Sequence, residues 1–171
     1  MPGTQVGADK QTDSNGNYSF TGLQPGEYVV QFVAPNGSIL STANQGVDDA
    51  ADSDAGTNGF TGCYELSSGE NETSVDAGLY QTVSIGDKVF NDTNANGIQD
   101  QGENGVSGVT VRLFTCVNGQ PGVQVGADTQ TDANGNYSFT GLQPGEYVVQ
   151  FIAPNGSILS TANQGVDDAA D

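Results

Sequence analysis

An all-β chain made of repeated sandwich domains is what this sequence predicts, and three observations predict it. Short stretches of alternating apolar and polar residues recur throughout, separated by Gly, Asn, Asp and Pro. No stretch sustains a 3.6-residue apolar period, and the 25 glycines work against helix. The chain also repeats itself: residues 2–52 return as residues 121–171, an offset of 119. Only four of those 51 aligned positions differ, namely Thr4/Val123, Lys10/Thr129, Ser14/Ala133 and Val33/Ile152. An offset this long exceeds a solenoid coil and matches a whole domain. With about seven short strands per period, the pattern points to an immunoglobulin-like β-sandwich in tandem repeats.

Taken in order, residues 17–23 (NYSFTGL) read as a strand that a Gln24-Pro25-Gly26 turn joins to the next. There Tyr28, Val30 and Phe32 alternate with Val29, Gln31 and Val33, and the copy at residues 147–152 does the same. Residues 60–66 and 74–82 read as further strands. Val109, Val111 and Leu113 share one face of another, with Thr110, Arg112 and Phe114 on the opposite face. Val83-Ser84-Ile85-Gly86 follows a strand ending near Tyr80 with no Pro/Ser linker between. Residues 1–82 are therefore expected to be the C-terminal part of one repeat, and residues 83–171 the N-terminal and central part of the next. Such short junctions suit a stiff rod. Met1 stands where the repeat calls for glutamine (compare Gln120), as an added start or an arbitrary cut would leave it.

Three basic residues (Lys10, Lys88, Arg112) face 21 acidic ones, there is no histidine, and the net charge is −18. That balance argues against nucleic acid and anionic lipid as partners. No apolar run is long enough to insert in a membrane as a helix. Without histidine no nucleophile–base pair of the usual kind can be assembled, so an enzyme is not expected. Crowded carboxylates must spread over solvated surface or be neutralised by cations, and oxygen ligands favour calcium.

Residues 92–103 read DTNANGIQDQGE. A twelve-residue calcium loop wants oxygen ligands at positions 1, 3, 5, 7 and 9, glycine at 6 and a bidentate glutamate at 12. Asp92, Asn94, Asn96, Ile98 (through its carbonyl), Asp100, Gly97 and Glu103 fill those places. Asn/Asp/Gly-rich loops also make simple turns, but a match at every constrained position favours the ion. No amphipathic helix flanks the loop, so it is expected to lock rather than to signal. A second acidic run, Asp48, Asp49, Asp52 and Asp54, recurs in part as Asp167, Asp168 and Asp171. It is a candidate second calcium site, to which Asp76 and Asp87 near strand ends would contribute; a solvated loop explains it equally well. Asp13-Ser14-Asn15-Gly16-Asn17 and its copy at residues 132–136 read as hairpin turns rather than ion sites.

Several segments together resemble the B-type repeats of bacterial serine-aspartate-repeat surface proteins, the SdrD B-like family. Residues 85–114 (IGDKVFNDTNANGIQDQGENGVSGVTVRLF) are similar to that family's first strand, calcium loop and second strand. Residues 131–151 (TDANGNYSFTGLQPGEYVVQF) resemble its central hairpin, and residues 70–80 (ENETSVDAGLY) its closing strand. The resemblance implies a Cna B-type, prealbumin-like sandwich, and calcium-stiffened beads in the stalk of a cell-surface or secreted protein. It assigns the main ion to Asp92, Asn94, Asn96, Ile98, Asp100 and Glu103. Relatives bind additional calcium, which draws attention to the run from Asp48 to Asp54. The cysteine pair and the near-identical copies depart from the usual pattern. Related collagen-adhesin-type domains carry a Lys–Asn or Lys–Asp isopeptide bond, which needs a buried acid beside the pair. Gln31 and Gln150 stand where that acid is expected, and Glu27 and Glu146 sit at the turn, so no isopeptide at Lys88 is expected.

Outside the cell, Cys63 and Cys116 are expected to form disulfides. In the family frame the partner of Cys116 lies beyond Asp171 and that of Cys63 before Met1. Three arrangements follow: a window of a longer polypeptide, identical chains joined head to tail into a filament, or a permuted bead pairing Cys63 with Cys116. The first two, which predict no intrachain bridge, are favoured. A structural spacer or filament subunit is thus the leading function. An adhesive ligand-binding module is the alternative, with its target unspecified. Six Asn-x-Ser/Thr sequons (Asn17, Asn36, Asn71, Asn91, Asn136, Asn155) are mostly accidents of an Asn-rich chain, and Asn91 adjoins the calcium loop.

Overall fold

A computed structural model of the chain describes residues 3–48 and 50–164, and within them all regular structure is strand. The chain divides into two compact units, Met1–Gln81 and Thr82–Asp171. The first carries β1 (Gly26–Tyr28), β2 (Ile39–Leu40), β3 (Tyr64–Leu66) and β4 (Leu79–Tyr80). The second carries β5 (Val83–Lys88), β6 (Thr110–Val117), β7 (Gln120–Gln124), β8 (Thr129–Gln130), β9 (Asn136–Leu142) and β10 (Tyr147–Ile152).

The second unit is built from two antiparallel sheets, as the alternating pattern requires. One runs β10–β6–β7, with β8 also beside β6, and the other pairs β5 with β9. Val149 lies opposite Leu113 and Phe151 opposite Val111. Val109, Val111 and Leu113 are 1% exposed or less, so the face assigned from sequence is the core face. Tyr137 of β9 meets Phe151 of β10 edge-on at 5.4 Å, which joins the two sheets face to face as a sandwich. Buried Thr131 is satisfied: its Oγ1 accepts from the Val109 N–H at 2.9 Å and donates to the Val106 carbonyl at 2.6 Å.

The first unit has nearly the same sequence over its first fifty residues and much less strand. Residues 17–23 form no strand, although the identical residues 136–142 are β9. Residues 28–33, expected as one strand, contribute only the end of β1 and a bridge between Gln31 and Phe60, whereas their copy is the six-residue β10. The expected strands at 60–66 and 74–82 shrink to β3 and β4. The reason is partnership. β9 exists because β5 pairs with it, and β10 because β6 does; the first unit holds no counterpart of β5 or β6 among its described residues. A strand without a neighbour leaves its N–H and C=O groups to water, and propensity alone does not hold it. The turn at Asp13 behaves differently. Its Oδ1 accepts from the N–H groups of Asn15 (2.8 Å) and Asn17 (2.9 Å), and Asp132 repeats this with Asn134 and Asn136 at the same distances. These N–H groups, Asn17 first and Asn136 first respectively, hold both carboxyls below the usual range. A short-range motif folds identically in both settings.

The reverse asymmetry holds downstream. Leu40 pairs with Leu79 of β4 and is 7% exposed, while its copy Leu159 is 54% exposed. Leu40→Ala is therefore expected to destabilise the first unit by about 2–5 kcal/mol, and Leu159→Ala to fall within about 0.5 kcal/mol of neutral. Urea titrations of the two variants check this; equal losses would contradict it.

Candidate metal centre

The loop at residues 92–103 is closed at its base by the second unit's own backbone. Phe90 bridges Gly105, and the Asn91 N–H donates to the Asn104 carbonyl at 2.8 Å. Gly105 lies so close to the turn after Thr131 that a Cβ there would overlap the Asn134 carbonyl oxygen. Val89 and Gly135 tie the same place together, the Val89 N–H donating to the Gly135 carbonyl at 2.8 Å. Gly105→Ala is accordingly expected to cost about 1–3 kcal/mol and to loosen both loop ends. Faster amide exchange at Asn91 and Val106, read against the wild type, is the measurement; unchanged exchange would refute the close approach.

Within the loop, alternate side chains turn inward. Asp92 accepts from the Gly97 N–H at 2.8 Å and the Asn96 N–H at 3.2 Å, and Asn94 Oδ1 from the Asn96 N–H at 3.0 Å. Asn96 Oδ1 accepts from the Ile98 N–H at 2.8 Å. Asp100 Oδ2 receives the side-chain amides of Asn94 (2.8 Å) and Asn96 (2.9 Å). Glu103 reaches back across the loop: its Oε1 accepts from the N–H and hydroxyl of Thr93 at 2.7 and 2.9 Å, and its Oε2 from the Asp100 N–H at 3.2 Å. Five side chains named from sequence thus belong to one bonded network, with the sixth group, the Ile98 peptide, held by Asn96. Gly97 has φ 78°, a conformation that excludes most side chains, and a Cβ on it would collide with the Thr161 carbonyl oxygen.

That approach shows a part of the site the loop motif does not contain. Thr161 and Gln164 pack over Gly97, and the Ser160 hydroxyl is the main cause that holds the Asp92 carboxyl below its usual range. Nothing in the spacing of residues 92–103 signals these partners. The all-oxygen donor set suits a hard cation such as calcium, so the residues present fit that ion. No group of three or more Asp, Glu, His or Cys side chains is gathered into a metal-holding cluster among the described residues. The carboxylates are spaced along the loop with amides between them.

The second acidic run is divided differently. Asp48 caps its own turn through the Ala50 N–H (3.3 Å) and the Ala51 N–H (3.1 Å, to its carbonyl). Asp49, Asp167, Asp168 and Asp171 lie outside the described residues. Asp54 is 8% exposed and is bonded to Asp76 twice: its Oδ2 accepts from the Asp76 N–H at 2.7 Å, and its N–H donates to the Asp76 carbonyl at 2.9 Å. Asp52 Oδ1 and Ser53 Oγ are buried without a hydrogen-bond partner. Burial first, then the Asp54 and Asp76 carboxylates, push the Tyr18 phenol up, while its hydroxyl donates to the Val75 carbonyl at 2.7 Å. Lys88 ends β5 opposite Asn136, and Glu27 and Glu146 are exposed. Cys63 (exposed) and Cys116 (half-buried) are both free.

The fold and the loop define an acidic β-sandwich repeat module carrying an oxygen-lined loop between its first two strands. A family model for the SdrD B-like domain matches residues 2–79 and 83–171, and the chain belongs to that family. Among curated relatives it is 42% identical over 161 residues to serine-aspartate repeat-containing protein F of Staphylococcus epidermidis, which covers 94% of this chain and 9% of the relative. It is 42% identical over 159 residues to protein C of the same series from Staphylococcus aureus (strain N315), covering 92% of this chain and 16% of the relative. The corresponding figures for protein D of S. aureus (strain Newman) are 38% over 162 residues, 94% and 12%. The chain therefore spans less than a fifth of the length of these relatives. Family membership carries with it the cell-surface location expected above. The family is a repeat domain of surface proteins rather than an enzyme class.

Proposed function

We propose that this chain is a non-enzymatic structural repeat of an extracellular stalk or filament, stiffened by calcium bound in the loop at residues 92–103. The observation that carries the reading is the loop itself. Its six ligand positions have the calcium spacing, and its five side chains already bond to one another or to the loop backbone. Asp92, Asp100 and Glu103 would supply charge, Asn94 and Asn96 neutral oxygens, and Ile98 its carbonyl. A bound cation supplies the positive charge that lets these oxygens crowd together. The loop links β5 to β6, one strand from each sheet, so ordering it restrains the two sheets relative to one another. Repetition then sets length, since near-identical beads add equal increments.

The adhesive alternative calls for exposed aromatics along a groove. The aromatic rings are spent largely on one another and are half-buried, Tyr18 meeting Phe32 at 5.3 Å and Tyr137 meeting Phe151 at 5.4 Å, while Phe20 stays 38% exposed. Calorimetric titration of chelator-treated chain with calcium tests the main reading. Saturable binding that Asp92→Asn weakens at least about tenfold is expected; heat unchanged by the substitution would refute it.

A further inference from the structure

Eight Asn-Gly pairs occur in this chain, and the structure sets the same dipeptide in very different surroundings. Asparagine is among the less durable residues, and before glycine it is most exposed to attack, because the glycine nitrogen carries no neighbouring Cβ to obstruct its approach to the side-chain amide. Ring closure needs that nitrogen free and the Asn backbone able to turn, so that the two atoms come into contact. Five pairs lack one or the other. The Gly16 and Gly135 N–H groups donate to the carbonyls of Asp13 (3.0 Å) and Asp132 (3.1 Å), and that of Gly59 to the Gly56 carbonyl (2.8 Å). In the candidate calcium loop the Gly97 N–H donates to Asp92 Oδ2 at 2.8 Å. The Asn96 side chain there is held at both ends, its amide on Asp100 and its oxygen on the Ile98 N–H. Gly105, which follows Asn104, is bridged to Phe90 and pressed against Asn134. A sixth pair, Asn118-Gly119, is exposed but forms the two-residue turn between β6 and β7, and the pairing of Val117 with Gln120 clamps it from both sides.

The remaining two pairs are copies of one another. Asn36-Gly37 and Asn155-Gly156 are exposed in both units alike, at the tip of a Pro-Asn-Gly-Ser turn. One backbone bond closes each turn, from the Ser38 N–H to the Pro35 carbonyl at 3.1 Å and from the Ser157 N–H to the Pro154 carbonyl at 3.0 Å. The Gly37 and Gly156 N–H groups and the Asn36 and Asn155 side chains have no hydrogen-bond partner among the described residues. We propose that Asn36 and Asn155 are the sites at which this chain modifies itself, losing ammonia through a cyclic imide, and that the fold protects the other six. The Gly37 nitrogen gives its proton to hydroxide and bonds to Asn36 Cγ; the Cγ–Nδ2 bond breaks, and the amide nitrogen leaves as ammonia. Water then adds to either imide carbonyl and opens the ring, leaving aspartate or its β-linked isomer. Gly156 and Asn155 follow the same course. In sum one water is consumed and one ammonia released, with no oxidant or reductant. Each event adds one negative charge to a chain whose net charge is −18. The β-linked product also lengthens the backbone, at a turn that a single hydrogen bond closes. At Asn96 the same chemistry would rebuild the loop, and the loop's own hydrogen bonds prevent it. The inference holds whether or not that loop takes calcium.

The test follows every Asn-Gly pair by peptide mapping and mass spectrometry while the full chain stands in mildly alkaline buffer at fixed calcium. Asn36 and Asn155 are expected to convert at similar rates, at least about tenfold faster than Asn15, Asn96 and Asn134, whose glycines must first open a hydrogen bond. Asn118 should trail them, because its turn moves only when the hairpin opens. Hydroxylamine, which cleaves cyclic imides, should cut the folded chain after Asn36 and Asn155, and the chain in urea at all eight pairs. Asp92→Ala, which frees the Gly97 N–H, should quicken Asn96 at least about tenfold and leave Asn36 and Asn134 unchanged. Asn36→Gln with Asn155→Gln should abolish both fast products. Similar rates at all eight pairs in the folded chain, or a fastest site at Asn118 or Asn96, would overturn the proposal. So would a folded chain in which Asn36 and Asn155 stay intact while unfolded chain converts.

Discussion

A melt of the chain in millimolar calcium is expected to lie roughly 10–20 °C above the same melt in chelator. At a hundredfold excess over its dissociation constant, an ion bound only by the folded state adds about 2.7 kcal/mol, and each kcal/mol moves the midpoint of a 60–100-residue domain by about 4–8 °C. The effect should belong to the second unit, which contains residues 92–103. Glu103→Gln is the informative variant. It removes charge and bidentate ligation yet keeps a side-chain oxygen able to accept from Thr93, whose N–H and hydroxyl now donate to Glu103 Oε1 at 2.7 and 2.9 Å. The variant should therefore melt near the wild type in chelator and lose most of the calcium increment. Coincident wild-type melts with and without calcium would reduce the loop to a polar turn held by Asn and Asp, and the stiffening role would go with it.

Leu113→Ala is expected to destabilise the second unit by about 2–5 kcal/mol, lowering its midpoint by about 10 °C or more. Leu113 is fully buried on β6, the strand that β10, β7 and β8 all adjoin, and lies directly opposite Val149. Its carbonyl also accepts from the Val125 N–H at 2.8 Å, so the neighbouring backbone cannot collapse freely into the space left behind. Urea unfolding of the variant gives the number. A loss below about 1 kcal/mol would mean that the site repacks, and that β6 is not the core of the sandwich.

Some of this molecule was legible residue by residue. The alternation Val109, Val111, Leu113 named the core face of β6 because the side-chain period of a strand is 2. The twelve-residue spacing singled out residues 92–103, and the structure joins the five side chains it named in one hydrogen-bonded network. The contribution of Ser160, Thr161 and Gln164 was not legible, because they reach the loop from more than fifty residues away. Nor did adjacency in sequence predict proximity in the acidic run, where Asp54 bonds to Asp76 and Asp48 to its own turn.

The duplication separates the two kinds of information. By itself the sequence determined what depends on neighbours a few residues apart: the β class, the turns at Asp13 and Asp132, and the hydrogen-bonding side chains within the loop. Only the tertiary structure decided which apolar stretches became strands. Residues 17–23 and 136–142 are the same seven residues, yet only the second set forms a strand, because β5 lies beside it. A turn closes its hydrogen bonds within itself, whereas a strand must find them on another segment.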